Sequence, residues 1–268
     1  MSSNVVVFVY GVGAVFALFT AVWAASVVRR DASLVDRFWG LGFVVTGAIW
    51  WWAAGAPMTA LWLLVPVAIW GLRLSAYITW RNWGHGEDSR YTDMRNGRSD
   101  RAFALRSLPM IFWLQAALVV VIGMPIVAVV IAAAEGREPT FALLGVAVSV
   151  WIVGFLFEAV GDAQMAAFKN DPDNQGKVMD RGLWHYSRHP NYFGEIVQWI
   201  AYGLFATAFG AWWSWASVLL MIVLLLRVSG VTLLEKKLTS SRPGYREYVE
   251  RTSALIPWPP RQTGSSDR

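Results

Sequence analysis

The sequence predicts an all-α, polytopic membrane protein: a seven-transmembrane helix bundle. Three observations carry that prediction. Hydrophobic residues make up 56% of the chain and charged residues only 15%, against about 25% charged in an ordinary soluble domain. Uncharged runs cover residues 5–28, 38–72, 107–134 and 196–226, each long enough for the roughly 20 residues that cross a bilayer as a helix. Finally, 21 of the 23 lysines and arginines fall on one side of the membrane if the chain crosses seven times, as the positive-inside rule requires.

In chain order the expected spans are 5–28, 38–54, 58–79, 107–134, 140–160, 190–208 and 212–234. The 38–72 run is cut in two by Ala-Gly-Ala-Pro at 54–57. Arg29, Arg30 and Arg37 follow the first span, and six arginines lie between 81 and 106. Lys169, Lys177, Arg181 and Arg188 separate the fifth span from the sixth, and eight cations lie in 227–268. Arg137 falls on the opposite side and Arg73 within the third span. An odd number of spans puts the N-terminus outside and the C-terminus in the cytoplasm. The first span is too long, and lacks the preceding basic residues, for a cleaved signal peptide. Many of the 17 tryptophans, such as Trp23, Trp50, Trp80 and Trp212, sit near span ends, where an interfacial belt would hold them. Gly11 and Gly13 follow no strand, so they read as close helix contacts rather than a phosphate loop. Residues 1–257 read as one domain whose 140–257 half carries the polar chemistry, and 258–268 read as a disordered tail.

Several classes are set aside by composition. The absence of cysteine excludes disulfides and thiolate metal sites. The net charge of +5 is gathered on one membrane face, so it suits anionic lipid heads or an anionic cofactor, not nucleic acid. His85, Glu87 and Asp88 match no metal-ligand spacing, and the 81–107 stretch reads as an ordered or half-ordered cytoplasmic loop with no metal. Nineteen arginines against four lysines in an Ala/Val-rich chain point to a GC-rich bacterial genome and hence the inner membrane. Oligomeric state is left open.

Ionisable groups at membrane depth cost about 2.5–3.5 kcal/mol each on insertion scales, so each calls for an explanation. Here they are Asp36, Arg73, Glu158, Asp162, Glu195 and Arg227. From a helix start at Pro190, Asn191, Glu195, Gln198 and Tyr202 follow at spacings of 4, 3 and 4 and share one face. Such a stripe faces a cavity or ligand, or else a neighbouring helix. Glu158, Asp162 and Lys169 also share a face, and a turn-forming stretch leads on to Lys177. Arg227 joins from the last span, with Glu235 two turns later. Cations for phosphates, free N–H groups at a helix start and acceptors for ribose hydroxyls suit a dinucleotide or nucleoside. A mutual ion-pair lattice closing the bundle's inner end is the alternative.

The stretch G-L-W-H-Y-S-R-H-P-N-Y-F-G-E (182–195), the upstream F-E-A-V-G-D-A-Q (157–164) and F-K (168–169) resemble the C-terminal domain of steroid 5α-reductases. More closely they resemble bacterial relatives grouped as domain of unknown function 1295. S-L-V-D-R-F-W-G-L-G-F (33–43), W-G-L-R-L-S-A-Y (70–77), R-N-W-G-H-G-E-D-S-R-Y (81–91) and P-G-Y-R-E-Y-V-E-R-T-S-A-L-I-P (243–257) extend the resemblance over most of the chain. It implies a seven-span reductase holding NADPH at its cytoplasmic face and acting on a lipid-soluble small molecule among membrane lipids. The family's nucleotide positions fall on Asp162, Lys169, Lys177, Asn191, Glu195 and Arg227. Tyr186, Arg188, His189 and Tyr192 belong to the motif, and Glu158 and Glu235 complete the expected cofactor set. At the substrate end the sequence departs from the animal enzymes, because Trp70 stands where they carry a tyrosine. Asp36, Tyr77 and Arg73 are the candidates for catalysis. Because R-H-P-x-Y-x-G is shared with membrane methyltransferases, a methyltransferase using S-adenosylmethionine is a second reading. A non-enzymatic lipid-binding protein is a third.

Overall fold

A computed structural model describes residues 3–228 and 244–261, and among them there is no strand. The chain divides into two compact units, 1–143 with 205–217, and 144–204 with 218–268. Among the described residues four helices are long and apolar enough to cross a membrane: Ser3–Arg29, Met58–Arg81, Asp100–Ile122 and Phe141–Asn170.

In the first unit α1 (Ser3–Arg29) is followed by the short α2 (Leu34–Arg37), α3 (Trp39–Ala53) and α4 (Leu61–Arg81). Helix α3 packs against both α1 and α4. The α3–α4 contact is a backbone approach, since a Cβ on Gly40 would lie 2.4 Å from the Gly71 carbonyl oxygen and one on Gly71 would lie 2.6 Å from that of Gly40. Apolar rings flank it: Trp70 and Phe43 are buried and meet edge-on at 5.6 Å. On α1, Gly11 makes room for the Trp50 ring, whereas Gly13 faces open space. Of the two glycines expected at helix contacts, only Gly11 is therefore at one. With only 15 residues, α3 spans about 22 Å at 1.5 Å per residue, less than a hydrocarbon core of about 30 Å.

The 81–106 stretch folds into α5 (Ser89–Arg95), capped by Asp88, and α6 (Asp100–Ser107), capped by Ser99. Helix α6 runs on through a π turn, Leu108–Trp113, into α7 (Leu114–Ile122). Pro109 offers no N–H, and a π turn is one way for a helix to absorb that loss. The run expected as one span over 107–134 thus starts earlier, at Asp100, and breaks at Gly123, after which Pro125 opens the separate helix α8 (Met124–Ala134).

Farther along the chain α9 (Phe141–Asn170) runs ten residues past the expected span end. Its 30 residues measure about 45 Å, half again the bilayer core. Then come α10 (Leu183–Tyr186), α11 (Pro190–Ala208), α12 (Trp215–Val223) with a π turn at Leu224–Val228, and α13 (Tyr245–Arg251). The last expected span continues into residues outside those described, as does Glu235. Within the expected tail, Trp258 N–H donates to the Tyr186 carbonyl and Arg261 N–H to that of Arg251, at 3.0 and 2.9 Å.

Candidate functional site

The polar face of α11 meets α9. Where the two helices cross, a Cβ on Gly194 would lie 2.4 Å from the Glu158 backbone nitrogen and 2.5 Å from the Gly154 carbonyl oxygen. Only glycine lets the backbones come this close. Three polar pairs line the seam. Trp151 Nε1 donates to Tyr202 Oη at 3.2 Å, Gln198 Nε2 donates to Glu158 Oε2 at 2.5 Å, and Asn191 Nδ2 donates to Asp162 Oδ1 at 3.1 Å. Glu158, Asp162 and Gln198 are all buried. The stripe of Asn191, Gln198 and Tyr202 is thus directed at the neighbouring helix, and Glu195 beside it is half-buried.

Two acceptors along this seam, Asn191 Oδ1 and Gln198 Oε1, are buried with no hydrogen-bond partner among the described residues. A buried carbonyl left this way costs about 1–3 kcal/mol, so it marks a place where a hydroxyl or amide donor would be stabilised. Asn191 lies in the first turn of α11 and close to Gly161, the part of a helix whose N–H groups have no partner within the helix itself.

The segment leading into α11 is pinned from two directions. Trp184 Nε1 donates to the Gly161 carbonyl and Leu183 N–H to Gln164 Oε1, which ties α10 to α9. Phe168, Met179 and Trp184 bury a small apolar cluster beneath it. From the other side, Arg188 donates through Nη1 to the carbonyls of Val249 and Thr252, and its N–H to that of Ser253. Ser187 Oγ donates to the Leu255 carbonyl, and the Tyr248 hydroxyl to those of Trp184 and Ser187. Asp180 pairs with Arg251. Burial pushes the Tyr248 phenol up, so it stays a donor throughout.

The sequence-predicted cofactor residues separate by this geometry. Glu158, Asp162 and Asn191 come together on the seam. Arg188 and His189 are buried at the head of α11, and Arg188 grips the C-terminal segment. The half-buried Tyr192 turns its ring edge-on to His189. Lys169, Lys177, Tyr186 and Arg227 are exposed. Gly154, Gly194, Gln164, Trp184 and Tyr248 were not singled out by sequence reasoning. Glycines 154 and 161 on an apolar helix were an available signal, but nothing near Tyr248 in sequence points to Trp184.

The candidate catalytic residues lie in the first unit. Asp36 accepts from Arg90 Nη2 and from the Tyr91 hydroxyl, both at 2.8 Å. Burial raises the Asp36 carboxyl above its ordinary range, and Arg90 and Tyr91 offset this only in part. The Tyr91 phenol is pushed up by burial and by Asp36. Beside this pair, Glu87 binds Arg95 Nε and Nη2 at 3.0 and 2.8 Å and accepts from Ala32 N–H at 2.7 Å. Asp88 caps α5 and pairs with Arg90. Two of the three residues weighed as metal ligands are therefore committed to arginines, and no three His, Asp or Glu side chains among the described residues are placed to hold a metal ion. On α4, which packs against α2, the Tyr77 ring lies between the guanidinium groups of Arg73 and Arg81, 5.9 and 5.6 Å from its centroid.

Fold and site together define a helical membrane protein with apolar spans and a buried acid–amide seam. The chain belongs to the family described as Protein of unknown function (DUF1295), which matches residues 22–252. It is similar to an uncharacterized protein of Schizosaccharomyces pombe, at 25% identity over 93% of this chain and 79% of that one. It is also similar to 3-oxo-5-alpha-steroid 4-dehydrogenase 1 of Bos taurus, at 28% identity over 64 residues, or 24% of this chain and 25% of the bovine protein. No solved structure matches.

Proposed function

We propose that this protein is an integral-membrane, NADPH-dependent reductase of a conjugated C=C bond in a lipid-soluble substrate. The observation that carries the reading is the acid–amide seam, where Asn191 keeps a buried acceptor oxygen beside a helix start. The partial likeness to a steroid dehydrogenase supports it. In this reading the chain crosses the bilayer seven times with its C-terminus in the cytoplasm, because that arrangement gathers the cations on one face. The arginine bias supports a bacterial inner membrane as its location.

NADPH, when bound, supplies a hydride. Asn191 Oδ1, Asp162 and Glu195 accept hydroxyl or amide protons from the nucleotide. Lys169, Lys177 and Arg227 neutralise phosphate, the lysines as point charges rather than bidentate forks. Arg188, His189, Tyr186 and Tyr192 shape the head of α11, and Glu158 holds Gln198 in place at its crossing with α9. Asp36, with its raised proton affinity, would donate a hydrogen bond to the substrate's carbonyl oxygen as negative charge develops there, and Tyr77 and Arg73 on α4 are the further candidates for this role.

The test is thermal melting of detergent-purified protein with NADPH and, separately, with S-adenosylmethionine. The reductase reading predicts a rise in Tm with NADPH alone. A rise with the methyl donor alone would replace it by the methyltransferase reading, and no rise with either by a non-enzymatic lipid-binding one.

A further inference from the structure

A cavity of about 380 Å³ opens in the first unit, between the end of α1 and the start of α6, and its lining includes no residue assigned above to cofactor or catalysis. Its inner lining holds the buried Phe103 with the equally buried Ser26 and Ser107, and Val27 and Ala104 form part of the wall. Its rim carries Arg30, Arg95 and Arg101 against a single acid, Asp100. The three arginines are not equivalent. Arg95 is neutralised by Glu87 and stacks on Phe103, 4.2 Å from the ring centroid. Arg30 reaches Asp100 at 3.2 Å through largely exposed side chains. Arg101 has no ion-pair partner among the described residues. The rim therefore keeps a positive charge that the protein does not cancel.

The surroundings fix the depth of this cavity. Trp23 Nε1 donates to the Ala104 carbonyl at 3.0 Å, holding α1 against α6 with an indole suited to the membrane interface. Val28, Leu105 and Met110 next to it are exposed at 85%, 64% and 62%, an apolar surface that belongs in acyl chains. Arginines thus stand at the edge of a lipid-facing surface, over a pocket large enough for a headgroup.

We infer that this cavity binds the headgroup of an anionic phospholipid, with the phosphate at Arg30 and Arg101 and the acyl chains along the exposed apolar face of α1 and α6. Basic pockets between membrane helices on the cytoplasmic side recognise such headgroups by charge, and each arginine near the surface contributes enough for about a five-fold change in affinity. Arg95, already held by Glu87, shapes the pocket.

The experiment is native mass spectrometry of detergent-solubilised protein titrated with phosphatidylglycerol or phosphatidylcholine, where no bulk membrane potential acts. The parent retains phosphatidylglycerol and not phosphatidylcholine. Arg101→Gln and Arg30→Gln each weaken retention about five-fold, and both arginines are exposed, so the variants fold. The control Arg29→Gln/Arg106→Gln removes two equally exposed charges outside the lining and retains the lipid as the parent does. Equal retention by Arg101→Gln and the parent overturns the site, as does equal binding of the two lipids or an equal loss in the control. Displacement of phosphatidylglycerol by millimolar inorganic phosphate would make free phosphate the ligand and also overturn it.

Discussion

Two helix crossings in this molecule use the same backbone device and opposite side-chain chemistry. At Gly40–Gly71 in the first unit and at Gly154–Gly194 in the second, facing glycines bring main chains into direct contact. The first crossing is flanked by the buried rings of Phe43 and Trp70 and carries no acid–amide pair among the described residues. The second buries Glu158 against Gln198 and, one turn on, Asp162 against Asn191. Close packing alone needs no carboxylate, and the apolar crossing shows that this chain builds one without it. What the second crossing gains from its acids and amides is therefore sought in a ligand.

The largest effect that could break the comparison comes from the glycines themselves. Gly194→Ala puts a methyl group against Glu158 backbone and Gly154 carbonyl atoms, and overpacking of this kind costs up to about 3 kcal/mol. Gly40→Ala should cost about as much, while Gly13→Ala, which meets open space, leaves Tm unchanged. NADPH should still raise Tm in Gly40→Ala and fail to do so in Gly194→Ala. An equal cost at Gly13 would show that close approach is not what these positions supply.

A smaller effect sharpens the contrast. Glu158→Leu leaves the Gln198 amide only the longer contact to the Gly194 carbonyl at 3.5 Å, a loss of about 1 kcal/mol for a hydrogen bond between membrane helices. Adding Gln198→Leu should restore most of that stability, because an apolar pair of similar shape can replace a polar one. The doubly substituted seam would then match the first crossing in chemistry. Denaturation of the two single variants and the double variant gives the coupling; additive losses would mean that the two side chains act independently.

The smallest effect concerns Asp36. Its ordinary value is 3.8, and its folded value lies above this because the neutral form is favoured by burial. Its contribution to stability is therefore complete below the unfolded value and lost as pH rises through the raised one. Melting the parent and Asp36→Asn side by side from about pH 4 upward should show the parent losing ground with rising pH. A constant difference in Tm would mean that Asp36 is not shifted.

The features legible in the sequence were those written locally. The run at 5–28 became α1, Pro190 opened α11, and the 4, 3, 4 spacing put Asn191, Gln198 and Tyr202 on one seam. What escaped was decided by distant partners or by a single missing group. The run over 107–134 is uncharged throughout and apolar on both sides of the break between Gly123 and Pro125, so hydropathy carries no trace of it. The extension of α9 to Asn170 depends on a buried face including Glu158 and Asp162, which reads as polar until α11 is set against it. Arg188 looked like part of a nucleotide motif, yet its guanidinium is engaged by carbonyls more than sixty residues away. In the same way nothing in the sequence beside Asp36 announces Arg90 and Tyr91, whose side chains meet its two oxygens.

The most direct measurement is an NADPH titration of the parent, Asn191→Ala and Glu195→Gln, followed by tryptophan fluorescence, with circular dichroism to confirm that each is folded. Loss of one hydrogen bond to the ligand predicts a Kd about ten-fold higher in each variant, the equivalent of about 1.4 kcal/mol. Variants that bind NADPH as tightly as the parent would contradict a nucleotide site at the head of α11.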